Sequence, residues 1–384
     1  MTAVQAVVAM GTFALSVLAP QLGVDLGRLG MLGSTLFAIG ALSSLAAGWL
    51  IRRLGDLRLA AACMGCVLLA MACLGLDAAG SGGVGWSLWP AVLLLGLAFG
   101  PETPASASVL ARVTPPARRP WVFSIRQTGN QIGAMAGSLS LPALLLRHPA
   151  WPFALVAALA LLVALACLRL SRGDGTVAAA APPGPATAAS GLRELAASPA
   201  LRLLTLAMVV FMATQVCLNL FVISHGVRTW GMAVPVAAGW AAWMQGAGLA
   251  GRLLWGRIAQ RPGTSTRGLL GALGLLTGAS GLALFLWPGT PPSAALLVLV
   301  ALLGLSASGW NGVMVAELAR LAGPGRAGAV TGAVLLFGYA GLALAPVGFA
   351  AAGTAFGSSG AFAALLAATA AAGTRLLLPG RRTA

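Results

Sequence analysis

Apolar runs of about 20 residues, separated by short polar or Gly/Pro-containing breaks, recur along the whole chain. Each is long enough to cross a hydrocarbon layer as a helix. The pattern predicts helices over about 3–22, 30–51, 59–76, 88–110, 121–146 and 151–169. A second set is predicted over about 199–224, 234–257, 268–287, 294–320, 326–351 and 359–379. Between the sets the composition shifts. Residues 171–199 are mostly Ala, Pro, Gly and Ser, with Asp174, Arg193 and Glu194, and read as a flexible linker. The expected organisation is a helical bundle over 1–170, a linker over 171–199 and a second bundle over 200–384 that ends in a short tail.

The two sets echo each other. A shift of 208 residues places Gly40 on Gly248, Leu45 on Leu253, Gly48 on Gly256, Arg53 on Arg261 and Gly55 on Gly263. Further on it places Gly96 on Gly304, Leu110-Ala111-Arg112 on Leu318-Ala319-Arg320, Pro116 on Pro324, Arg118 on Arg326 and Gly133 on Gly341. The chain therefore reads as a tandem duplication of a six-helix unit. The echo fails at two charged positions: Glu102 falls on Trp310 and Arg126 on Val334. The scaffold is symmetric and its polar centre is not.

Composition sharpens the picture. The chain is 59% hydrophobic and only 8% charged, far more apolar than a soluble domain. Its net charge of +16 suggests nucleic acid until the basic residues are mapped. All 23 of them are arginine. Only Arg28, Arg147 and Arg228 fall in one set of loops, and Arg126 lies inside a predicted helix; the others fall in the opposite loops, the linker and the C-terminal tail. An excess of basic residues marks the cytoplasmic side. The charge is thus a topology signal, which excludes a nucleic-acid partner and places the linker and both termini in the cytoplasm. The first apolar run lacks a basic leader and reads as a retained helix. Cys63, Cys66, Cys73, Cys167 and Cys217 lie in apolar runs and read as small packing residues. No metal cluster, nucleotide loop or nucleophile–base pair is evident, so no cofactor and no enzyme activity are expected.

Two six-helix halves in parallel repeat with a cytoplasmic linker resemble the major facilitator superfamily of secondary transporters. The most specific marker is the loop after the second helix, where the family shows roughly G-x-L-x-D-R-x-G-R-R. This chain has Gly48-Trp49-Leu50-Ile51-Arg52-Arg53-Leu54-Gly55-Asp56-Leu57-Arg58. Arg52 stands where the family has its acid, and Asp56 is the candidate to replace it. A weaker copy, Gly256 to Gly263, also lacks the acid. Helix five carries Gly129, Gly133 and Gly137 but not the Gly-Pro motif common in antiporters of the family. The resemblance implies an all-α integral membrane protein of 12 transmembrane helices in two parallel-repeat bundles. It also implies a central cavity and rocking of the halves about a midplane site.

Ionisable residues inside a membrane are costly and mark pathways. Arg126, Asn130, Gly133 and Gly137 fall within about 60° on one helix face, with Gln127 and Gln131 in a second row. A guanidinium suits a carboxylate or phosphate, so Arg126 is either an anion clamp or the structural partner of Glu102. Glu102, between Pro101 and Pro104, is either a proton carrier or that partner. Trp310 and Asn311 occupy the repeat positions of Glu102 and Thr103; they read as a stacking surface and a hydrogen-bonding group, or as core. Gln215 and Asn219 share a face of helix seven, and Tyr339 is a further cavity candidate. His225 reads as a loop-end residue. Arg53, Asp56, Glu317 and Arg320 are candidates for the cytoplasmic gate, the last two spaced as a helix ion pair.

The expected function is a monomeric, proton-coupled transporter of a small organic anion in a bacterial inner membrane, in contact with lipid and working by alternating access. Two alternatives stand beside it: an efflux pump for apolar or cationic compounds, and a transporter-like receptor or assembly partner that moves nothing.

Overall fold

The computed structural model describes residues 1–115, 118–172, 185–322 and 327–378. Pro116, Pro324, Arg326 and the tail arginines Arg381 and Arg382 lie outside the described residues, as does Asp174. Among the described residues every regular element is a helix: α1 (Thr2–Leu18), α2 (Leu26–Leu54), α3 (Asp56–Ser81), α4 (Leu88–Val113), α5 (Arg119–Leu145), α6 (Trp151–Ser171), α7 (Pro185–Ala197), α8 (Pro199–Arg228), α9 (Val234–Ala259), α10 (Thr266–Phe285), α11 (Ser293–Ala307), α12 (Trp310–Ala322) and α13 (Ala327–Leu377). Eight apolar helical segments are long enough to span a membrane.

Local chemistry sets several ends. The Asp25 carboxylate accepts from Arg28 N at 2.8 Å and starts α2. Ser265 Oγ does the same for Gly268 N at 3.0 Å and starts α10. Gly55 and Gly357 turn with φ of 85° and 74°, where a side chain is strained. The second of these breaks α13, so its 51 residues hold both of the last two predicted helices.

The chain forms two compact units. One comprises the described residues of Met1–Ala181 with Asn219–Ala242, and the other those of Pro182–Leu218 with Trp243–Ala384. The unit boundaries therefore cut through α8 and α9. In the first unit α1 packs on α5, α2 on α4, and α3 on both α4 and α6. Backbones come close where a side chain is missing: a Cβ at Gly133 would run into Ala6 O, and one at Gly100 into Gly40 O. In the second unit α10 packs along α13 and α11.

Two expectations are corrected. The linker is not flexible throughout, because its second half is the 13-residue helix α7. That helix docks in the second unit: Leu195 is buried among Leu201, Leu318, Val330 and Val334, and Gly191 rests against the Ala329 carbonyl. A Leu and a Gly placed four apart on one face are what Ala/Pro-rich composition obscures. The tenth predicted helix is not continuous either; it breaks at Ser308–Gly309 into α11 and α12.

Candidate site: a buried ion pair and its surroundings

α4 presents Glu102 and α5 presents Arg126 to each other inside the first unit. Glu102 is 3% exposed and Arg126 2%. Arg126 Nη2 donates to both carboxylate oxygens, at 3.3 and 3.2 Å, and to Thr103 Oγ1 at 3.0 Å. Ser106 Oγ donates to Glu102 Oε1 at 2.7 Å and Thr103 Oγ1 to Oε2 at 3.0 Å. Three donors thus converge on one carboxylate, which is how a buried charge is made tolerable. The guanidinium is less completely used. Its contact with Glu102 runs through one nitrogen, and Nε is buried without a partner.

The glycines of α5 put Arg126 where it is. Gly129 and Gly133 lie against Thr2 O and Ala6 O, so α5 runs tightly along α1. This brings in a residue that the sequence pattern did not single out. Gln5 of α1 is buried, its Nε2 donates to Gln127 Oε1 at 3.5 Å, and its own Oε1 has no partner. A lone carboxamide in an apolar helix was the available signal. Gln131, one turn beyond Gln127, is fully buried with neither amide atom bonded. Asn130 is half-buried on the same helix. Buried polar atoms without partners are rare in folded proteins and call for an explanation.

In the second unit Asn311 Nδ2 approaches Gln215 Oε1 at 3.4 Å, linking α12 to α8. Both side chains are half-buried. Trp310 is 2% exposed and packs in the unit's core; its indole donates to Ala307 O at 3.0 Å, and its ring meets Phe211 edge-on at 5.7 Å. Tyr339 is half-buried on α13. Asn219 belongs by its contacts to the first unit, where its carbonyl accepts from Ser16 Oγ at 3.4 Å. His225, read from sequence as a loop-end residue, is instead buried inside α8 with Trp230 edge-on at 4.6 Å.

The gate candidates form two clusters. Asp56 opens α3 and accepts from Arg112 Nη2 at 3.1 and 3.2 Å and from Ser108 Oγ at 3.2 Å, tying α3 to α4. Arg53 does not join it; its guanidinium lies 4.7 Å over the Trp49 ring. Glu317 is 1% exposed and accepts Arg320 Nε at 2.8 Å and Nη2 at 2.7 Å, a two-pronged grip. Thr266 Oγ1, on the first residue of α10, bonds the same carboxylate. Arg112 and Arg320 are repeat equivalents, so both halves fasten the same arginine with a carboxylate drawn from different places. Among the described residues no cluster of metal-ligating side chains occurs.

The family description Major Facilitator Superfamily matches residues 1–346. No curated protein matches the chain. Several solved structures share its fold. A POT peptide transporter in complex with sulfate superposes with a TM-score of 0.77 at 17% identity, covering 98% of this chain and 92% of that one. A POT family transporter in complex with 5-aminolevulinic acid gives 0.74 at 13% identity, covering 98% and 93%. A bacterial homologue of the human lysosomal transporter Spinster, inward-facing and unoccupied, gives 0.69 at 19% identity, covering 98% and 93%.

Proposed function

Because the chain belongs to the major facilitator superfamily and is therefore a multi-span membrane transporter, we propose that it carries a small organic anion together with a proton, by alternating access. The observation that carries this reading is the Glu102–Arg126 centre, where a buried guanidinium holds a carboxylate yet keeps one donor unused. As it stands the centre is neutral. A substrate carboxylate that takes Arg126 by two parallel bonds displaces Glu102. The freed carboxylate, shielded from water, then needs a proton to keep the centre neutral. Arg126 is thus the clamp and Glu102 the proton carrier, with Thr103 and Ser106 steadying the carboxylate in the empty state. Gln127, Gln131 and Asn130 supply further donors and acceptors. Asn311, Gln215 and Tyr339 in the second unit, and Asn219, are further candidate contacts, whereas Trp310 serves the core.

The proposed arrangement has twelve spans: α1 to α6, α8 to α10, α11 with α12, and α13 twice. The proposed setting is a bacterial inner membrane with the arginine-rich loops in the cytoplasm, where Asp56–Arg112 and Glu317–Arg320 stiffen the gate side. Export of cations draws less support, because the one carboxylate at the centre is already neutralised by Arg126.

The test is flux into proteoliposomes, with a panel of small organic acids and an imposed pH gradient. Wild type should accumulate at least one acid uphill. Arg126→Gln should fold with reduced stability and lose binding in the folded fraction, and Arg126→Lys should recover binding only in part, because the two-pronged contact is gone. Glu102→Gln should exchange substrate yet lose pH-driven accumulation. Full pH-driven transport by both Gln variants would end the proposal.

A further inference from the structure

α11 and α12 arise from one apolar run, yet the helix stops at Ala307 and resumes at Trp310. In a continuous helix the Gly309 amide would donate to the Leu305 carbonyl. Here Gly309 N turns instead to Ser306 O, at 3.3 Å. Leu305 O is not left bare: it accepts the indole Nε1–H of Trp255, on α9, at 2.9 Å. The neighbouring glycines allow this. A Cβ at Gly251 would run into Leu305 O, and one at Gly309 into Trp255 Cδ1.

The first half poses the same problem with different chemistry. The 208-residue shift places Leu97 on Leu305 and Pro101 on Gly309. Pro101 has no N–H, so the Leu97 carbonyl also loses its helical donor, and loses it permanently. In the second half the loss is reversible, because Gly309 keeps its amide. Both donors lie within reach of one carbonyl, and here the indole holds it while the Gly309 amide bonds Ser306 O. A small pocket of about 10 Å³ lies against Trp310, walled by Phe211, Leu273 and Gly274 among others. Irregular backbone at membrane depth persists only where another group satisfies it.

We propose that Trp255 is a latch on a hinge at Ser308–Gly309. With the indole on Leu305 O the span is broken; with the Gly309 amide there, it is continuous. α12 carries Asn311, so the switch swings a proposed substrate contact. That consequence rests on the proposed function, whereas the hinge does not.

The test needs no substrate. Spin labels go on Val298 of α11 and Val315 of α12, which are 55% and 49% exposed. The full chain, stripped of its native cysteines, is measured in nanodiscs by pulsed electron resonance. A continuous helix sets the backbone separation at about 26 Å from its rise per residue. Trp255→Phe keeps the ring but deletes the N–H. It should raise the continuous-to-broken ratio about fivefold, the change one hydrogen bond supports. Gly309→Ala, whose methyl displaces the indole, should shift the distribution the same way and serves if Trp255→Phe does not fold. In a Gly309→Pro background Trp255→Phe should change nothing, since no amide remains to compete. An unchanged distribution in both Trp255→Phe and Gly309→Ala would overturn the latch, as would an equal shift in the Gly309→Pro background. A shifted distribution without any anion transport would leave the hinge standing and remove only the substrate reading.

Discussion

At the scale of single residues, the Glu102–Arg126 pair shows how far one-dimensional reasoning reaches. Failure of the repeat at both positions marked them as special, and their similar depth along α4 and α5 made contact possible. Contact itself depends on the rotation of the two helices, which the sequence leaves open; the structure closes it at 3.2 Å. Gln5 escaped the pattern because it stands alone in an apolar run, where one polar atom makes no periodicity, and Trp255 because an indole reads as an apolar residue whose N–H has no assigned acceptor. The pair carries a stability prediction separable from transport. Removing one member strands a buried charge, which costs about 3–5 kcal/mol. Glu102→Ala should therefore lower the melting temperature and the expression level, and Glu102→Ala with Arg126→Met should restore much of both. A double variant no more stable than the single one would mean that the two charges do not depend on each other. Glu102→Gln is milder, because an amide still bonds Ser106 and Arg126 in part.

At the scale of elements, contact between helices is governed by what is missing as much as by what is present. Gly133 has no room for a side chain against Ala6 O, whereas a methyl at Gly137 would meet Met10 Cγ at 3.4 Å, an ordinary contact. Gly133→Val should thus abolish a monodisperse, heat-stable preparation in size-exclusion chromatography, and Gly137→Ala should leave it unchanged. Similar behaviour of the two would show that α1 and α5 do not meet along this stripe. α7 offers a second case. Its docking rests on Gly191 and Leu195, so Gly191→Leu should release it and expose Arg193 to limited trypsin digestion well before wild type is cut. Equal cutting rates would mean that α7 is not seated on α13. The sequence showed that a composition change occurs at 171–199 but not that half of it folds, because docking needs a partner surface formed by residues more than a hundred positions away.

At the scale of the whole molecule, membrane class and family follow from features additive along the chain, apolar length and the internal repeat, and the sorting of arginines among loops motivates the proposed orientation. A labelling experiment checks the proposed orientation. A cysteine at Ser190, exposed on α7, in a background without native cysteines should resist an impermeant thiol reagent applied outside intact cells. Rapid labelling would reverse the assigned topology. By itself, then, the sequence determined that this is a helical membrane transporter, where most of its helices run, and that Glu102 and Arg126 break its symmetry. Each of these is a sum or a periodicity over local residue types, and bilayer thickness and helix geometry convert it directly into structure. Tertiary structure alone decided that Asp56 fastens Arg112 and not Arg53, that Trp310 sits in a core, that α7 docks, and that the tenth span breaks under the Trp255 indole. Those outcomes turn on which donor reaches which acceptor across neighbouring helices. That choice is made by packing distances set by glycines and side-chain volumes far apart in the chain, and no local pattern encodes it.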